Sequence, residues 1–140
     1  MTRSAYLVGD CEKVLRLIPN SSVAAIITSP PYMALKQYEE GWTWEHYWGL
    51  MSSVITESYR VLLPGGWLCI NIGMAPKLAE QGETEKVAQS GIPHRLWVMM
   101  DDAGFLMDAD IIWDKAAPKG RGQWRRWGCL TARENLGKMA

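Results

Sequence analysis

The chain is short of the residue types that usually mark a site. It has a single phenylalanine, Phe105, and two histidines, His46 and His94, neither of which has a cysteine or carboxylate partner at ligand spacing. Three cysteines (Cys11, Cys69 and Cys129) are odd in number and match no paired metal-ligand spacing. A disulfide framework and a zinc cluster are therefore not expected, and the thiols read as reduced. No apolar run approaches the ~18 residues of a membrane span. The amino-terminal stretch "MTRSAYLVGDCEKV" meets charge too early for a secretory signal. The expectation is a cytoplasmic protein with no metal and no membrane partner.

Net charge is also lacking, but its distribution is uneven. Residues 1–114 carry 8 Lys and Arg against 14 Asp and Glu, whereas residues 115–140 carry 7 against Glu134 alone. A basic end on an acidic body suits either phosphate contact or a solvated tail. What the chain does have is apolar bulk: 48% hydrophobic residues and eight tryptophans in 140 residues. That is enough for one domain with a real core, and too little length to favour two.

Strand and helix patterns alternate along the chain. Ala5–Val8 reads as a short strand ending at Gly9-Asp10, with Asp10 suited to cap a helix whose face is Cys11, Val14, Leu15 and Ile18. Val23–Thr28 is β-branched and apolar without alternation, as in a strand covered on both faces. Thr43–Leu62 repeats apolar residues at helical spacing and ends at Pro64-Gly65-Gly66. Trp67–Ile72 reads as a strand, residues 73–91 as a loop, Ile92–Ala103 as a helix and Phe105–Trp113 as a strand. Beyond Pro118 the periodicity fades. The expected division is residues 1–118 as one domain and residues 119–140 as a basic tail. Alternating elements imply a mostly parallel sheet with flanking helices.

"TSPPY", Thr28 to Tyr32, stands directly after the apolar strand. Proline has no N–H and a fixed φ, so Pro30-Pro31 cannot continue a central strand. The chain must leave the sheet as a stiff loop with unpaired carbonyls. Such a stop alone usually marks only a turn. In an open parallel sheet, however, ligands sit at the carboxyl ends of the strands, where Asp10 and Ser29–Tyr32 both fall. Taken singly, Asp10 reads as a helix cap.

Three separated blocks carry a resemblance: "LVGDCEKVLRLIPNSSVAAIITSPPY", "ESYRVLLPGGWLCINIG" and "DAGFLMDADIIWDK". In order and spacing they resemble the amino half of the beta group of amino DNA methyltransferases, over about residues 5–115. The resemblance implies an incomplete Rossmann-like α/β fold dependent on S-adenosyl-L-methionine. The substrate it implies is double-stranded DNA with a flipped target base, methylated on an exocyclic amine, in a bacterial or phage restriction-modification setting. Serine at the head of the motif is more typical of cytosine-N4 enzymes; adenine N6 is the alternative.

An exocyclic amine is a poor nucleophile, because its lone pair is delocalised into the ring. Acceptors on its hydrogens draw the nitrogen toward tetrahedral geometry. By resemblance, Ser29 Oγ and the Pro30 carbonyl are those acceptors, Pro31 stiffens them, and Tyr32 stacks on the flipped base. Asp10, with Cys11 beside it, is implied to contact the cofactor adenine. Tyr38, Trp42 and Lys115 are candidates for touching DNA; Trp44, Trp48 and both histidines read as structural. The Phe-x-Gly-x-Gly loop of the family, which cradles the methionine end of the cofactor, has no counterpart in this sequence. The expectation is thus a front half: a fragment, one part of a split enzyme with a second chain or a second copy as partner, or an inactive remnant.

Overall fold

A computed structural model describes residues 4–33, 37–73, 76–77, 88–89, 91–114 and 126–134 of the chain. In order they form α1 (Cys11–Leu15), β1 (Val23–Thr28), a 3-10 turn (Gln37–Glu39), α2 (Trp44–Val61), β2 (Leu62–Gly73), β3 (Pro76–Lys77), β4 (Ala88–Gln89), α3 (Ile92–Asp102), β5 (Phe105–Asp114) and β6 (Arg126–Glu134). The main sheet has the order β1-β2-β6-β5, and β3 and β4 form a separate antiparallel pair. β1 and β2 run parallel, and β6 opposes both β2 and β5. Three of the four strands therefore share one direction.

α2 forms where its apolar residues recur at helical spacing. Thr43 caps it, its hydroxyl oxygen accepting from the His46 N–H at 3.1 Å. Its buried stripe is Tyr47, Met51, Ile55, Ser58 and Val61. α3 has proline in its first turn, where the missing N–H costs nothing, and buries Ile92, Leu96 and Met100. These two stripes meet Leu62, Leu68, Ile70 and Ile72 of β2 and Phe105 of β5 in one core. Phe105 sits edge-on to Tyr59, with ring centroids 5.2 Å apart. Gly104 turns the chain out of α3 at φ +99, pressed against the Tyr59 ring.

Several expectations need correction. Ala5–Val8 is not a strand: it pairs with no strand among the described residues, and Tyr6 and Val8 are 94% and 99% exposed. α1 is shorter than expected, ending at Leu15 before Ile18. Pro64-Gly65-Gly66 does not lie between elements but inside β2, where the register against β1 jumps from Val23–Leu62 to Ala25–Trp67. A β-bulge absorbs the proline there. A side chain at Gly66 would lie 2.8 Å from the Leu63 carbonyl oxygen and 3.1 Å from that of Ala24, so glycine alone fits that crossing.

β1 is covered on one face only, with Ala24, Ala25 and Ile27 exposed. The loop expected at 73–91 includes the two short strands β3 and β4. Finally, residues 126–134 are no tail. As β6 they lie between β2 and β5, a placement set by backbone pairing on both sides rather than by any local periodicity.

Candidate active site

β1 ends at Thr28, opposite Ile70 of β2. One residue further on, Ser29 comes beside Asn71, and the Asn71 Nδ2 donates to Ser29 Oγ at 3.2 Å. A hydroxyl oxygen has two lone pairs. Asn71 occupies one and leaves the other as an acceptor. Asn71 was not among the sequence candidates. The signal was present: it is the one polar side chain in the run "LCINI", near the strand end that faces the motif.

The far end of the loop is held by Glu39, also missed in the sequence. Its Oε1 accepts the N–H of Tyr32 at 3.1 Å and of Met33 at 3.0 Å. The carboxylate is only 6% exposed, and Met33 is in the left-handed region at φ 52. Tyr32 and Met33 are half-buried against the core. Nearby, burial first, then the Glu39 charge and then Tyr32 push the Tyr47 phenol well above its ordinary pKa. The Tyr38 phenol is raised by the same three causes in the same order.

Behind Ser29, Pro30 and Pro31 lies a cavity of about 360 Å³ reaching Cys11 and Leu15 of α1, Leu50, Val54 and Ser58 of α2, and Leu68 and Ile70 of β2. Its lining is mainly apolar. Ser58 Oγ, buried and without a hydrogen-bond partner among the described residues, is part of that lining. The cavity thus brings Cys11 together with the motif. Asp10 is a helix cap: its Oδ1 accepts from the Glu12 N–H at 3.0 Å and its carbonyl from Lys13 and Val14. Its second carboxylate oxygen makes no described bond. Asp10 and Cys11 are both exposed.

Tyr38 is 63% exposed on the 3-10 turn. Trp42 is half-buried, its ring edge-on to His46 at 4.8 Å. Lys115 lies outside the described residues. Trp44 stacks on Trp48 at 6.0 Å, and the Arg95 guanidinium sits 4.2 Å over the Trp48 ring, a surface cation–π contact. No group of metal-ligating side chains occurs among the described residues, and none of their helices is long and apolar enough to cross a membrane.

The model of the DNA methylase family, which spans N6- and N4-type enzymes, matches residues 23–130. The chain belongs to this family. The matched region runs past residue 118 into β6. Among curated relatives, the type II methyltransferase M.BglI of Bacillus subtilis is 40% identical over 72 residues, covering 51% of this chain and 21% of the relative. Among solved structures, TTHA0409 of Thermus thermophilus, assigned to the DNA modification methylases and complexed with S-adenosyl-L-methionine, matches 91% of this chain and 51% of its own. The TM-score is 0.70 and the identity 28%. The cytosine-N4-specific PvuII DNA methyltransferase shares the fold, with TM-score 0.71 at 21% identity over 92% of this chain and 48% of its own. The fold is the Rossmann-like methyltransferase fold, incomplete within this chain. The chain spans about half the length of these solved structures and from 14% to 46% of the curated relatives it matches.

Proposed function

We propose that this chain carries the reacting end of an S-adenosyl-L-methionine-dependent DNA amino-methyltransferase acting on a base flipped out of the duplex, with cytosine N4 as the acceptor. The observation that carries the reading is Ser29: an acceptor oxygen at a strand end, fixed by Asn71 and followed by two prolines. A preorganised acceptor needs no reorganisation as positive charge develops on the amine nitrogen. Ser29 Oγ accepts one amine hydrogen, the Pro30 carbonyl accepts the other, and Tyr32 offers its ring to the base. Lone-pair density is thereby returned to the nitrogen, and the proton is lost to solvent after transfer. The choice of cytosine rests on serine at the motif's first position.

The residues present fit the adenine end of the cofactor. The mainly apolar cavity suits a flat ring, Ser58 Oγ in its lining has no hydrogen-bond partner among the described residues, and the second carboxylate oxygen of Asp10, beside Cys11, makes no bond among them. The cofactor supplies an electrophilic methyl group when bound. Asp10 would accept from the adenine amino group, and Cys11 and the apolar lining would exclude water from the ring. No residue assigned here holds the methionine end. We therefore expect methyl transfer only where a glycine-rich loop is supplied by further polypeptide. A non-catalytic partner-binding subunit is a second reading, favoured by the exposed apolar residues around β1.

Ser29→Ala tests the first reading. It removes one acceptor and leaves both prolines, so the single-turnover rate in the assembled enzyme should fall by about 10²–10³-fold with cofactor binding kept. Near wild-type turnover would sink the assignment. Nucleoside mass spectrometry of the product should show N4-methylcytosine, and N6-methyladenine alone would overturn the choice of base.

A further inference from the structure

We infer that Glu39 is a positioning residue for the reacting loop, acting as an internal anion that holds the backbone leaving Pro31; the inference rests on the methyltransferase reading only for its kinetic consequence. Pro30 and Pro31 carry no N–H, so the first donor after Ser29 is that of Tyr32. Backbone N–H groups can therefore tie the loop only before Pro30 or from Tyr32 onward. There the N–H groups of Tyr32 and Met33 converge on the single Oε1 of Glu39 at 3.1 and 3.0 Å. Two successive N–H groups turned onto one oxygen form the concavity by which backbones bind anions, with a side-chain carboxylate in place of the external ion.

The cost of this arrangement is visible. A carboxylate is 94% removed from water and a non-glycine residue, Met33, is held at φ 52. Both persist only where the surroundings over-determine them. With these N–H groups committed inward, the backbone at Tyr32 is held, which limits how far the Pro30 carbonyl can move relative to Ser29. A carboxylate presents only acceptors to the two N–H groups, whereas a glutamine would also present an NH2 that has to be turned away.

The test uses the full 140-residue chain without cofactor or DNA, so it decides the anchoring whether or not the methyltransferase reading stands. Amide hydrogen exchange is followed by NMR in the wild type, E39Q and E39A. In E39A, exchange at Tyr32 and Met33 should quicken about tenfold or more, while Ile26, Ile55 and Ile70 stay unchanged. E39Q, which keeps the shape and one acceptor but loses the charge, should fall between. In methyl-transfer assays of the assembled enzyme, E39Q should lower the rate constant about tenfold with KM for DNA and cofactor within about twofold. Unchanged exchange at Tyr32 and Met33 in E39A would overturn the proposal. So would acceleration spread equally through the core amides, or a raised KM with an unaltered rate constant.

Discussion

Among the described residues from α2 to β5 the largest apolar side chains form a buried core, although Val98 and Ile111 stay exposed, whereas from Ser4 to the end of β1 few are buried at all. Tyr47, Met51, Ile55, Leu68, Ile70, Leu96, Met100 and Phe105 are no more than 1% exposed. On the other side, α1 buries no residue, and Tyr6, Leu7, Val8, Leu17 and Ile27 are between 65% and 99% exposed. The hydrophobicity of the two regions is similar; the difference lies in what covers them. The rim is instead joined to the core by polar bonds centred on Arg60. Its guanidinium donates to the carbonyls of Leu15 and Ile18 at 2.9 Å and to the Asn20 side chain, and it pairs with Glu57 at 2.7 Å. The Arg60 and Val61 carbonyls accept from Ser21 and Ser22. Ser29 lies on the seam between these regions, with its anchors, Asn71 and Glu39, on the packed side. The proposed reacting end is thereby anchored on the packed side, while the proposed cofactor end, at Asp10 and Cys11, sits on the less covered side.

The largest effect should come from the packed side. Phe105→Ala deletes a fully buried ring and should cost about 3–5 kcal/mol in urea unfolding. Ile27→Ala, the same kind of truncation on the rim, should cost less than about 0.5 kcal/mol. Similar values at the two sites would erase the contrast.

Arg60→Ala should come next, at about 2 kcal/mol, because it leaves two carbonyls and Glu57 without their donor. Hydrogen exchange should show the loss first in α1 and only later in α3. A uniform loss would mean that the rim and the core unfold as one unit.

Tyr47→Phe is expected to act in the opposite direction. The Tyr47 hydroxyl is buried with no hydrogen-bond partner among the described residues, so deleting it should stabilise the chain by about 1 kcal/mol at pH 7. Its folded pKa lies above its unfolded value of about 10, so the buried form keeps its proton while the unfolded chain gives it up. This group leaves stability unchanged with pH below about pH 10 and lowers it as pH rises further, by up to about 1.4 kcal/mol per pH unit. Urea unfolding at pH 9, 10 and 11 should show Tyr47→Phe escaping that part of the alkaline loss.

The same contrast explains what could be read in the sequence. Helical periodicity located α2 and α3, and short apolar runs located β1 and β5, because each of these patterns is local. The position of Ser29 followed from Pro30-Pro31 after a strand, a feature that only covalent geometry requires. β6 could not be read that way, since what makes residues 126–134 a strand is pairing with β2 and β5, both distant in sequence. Ala5–Val8 failed for the converse reason: strand-like residues do not make a strand without a neighbour. Glu39 and Asn71 were hidden because their role depends on tertiary approach. Glu39 lies seven residues beyond Tyr32, in a segment with no periodicity, and Asn71 lies 42 residues from Ser29.

The seam itself is the most direct point of attack. The full chain, labelled with nitrogen-15, can be titrated with S-adenosyl-L-methionine to millimolar concentration while its amide resonances are followed. Binding should be weak and should move Cys11, Leu15, Thr28 and Ser29 while leaving Leu96, Met100 and Phe105 in place. Absence of any shift, or shifts centred on α3 and β5, would contradict a methyltransferase site at the junction of α1 and the Ser29 loop.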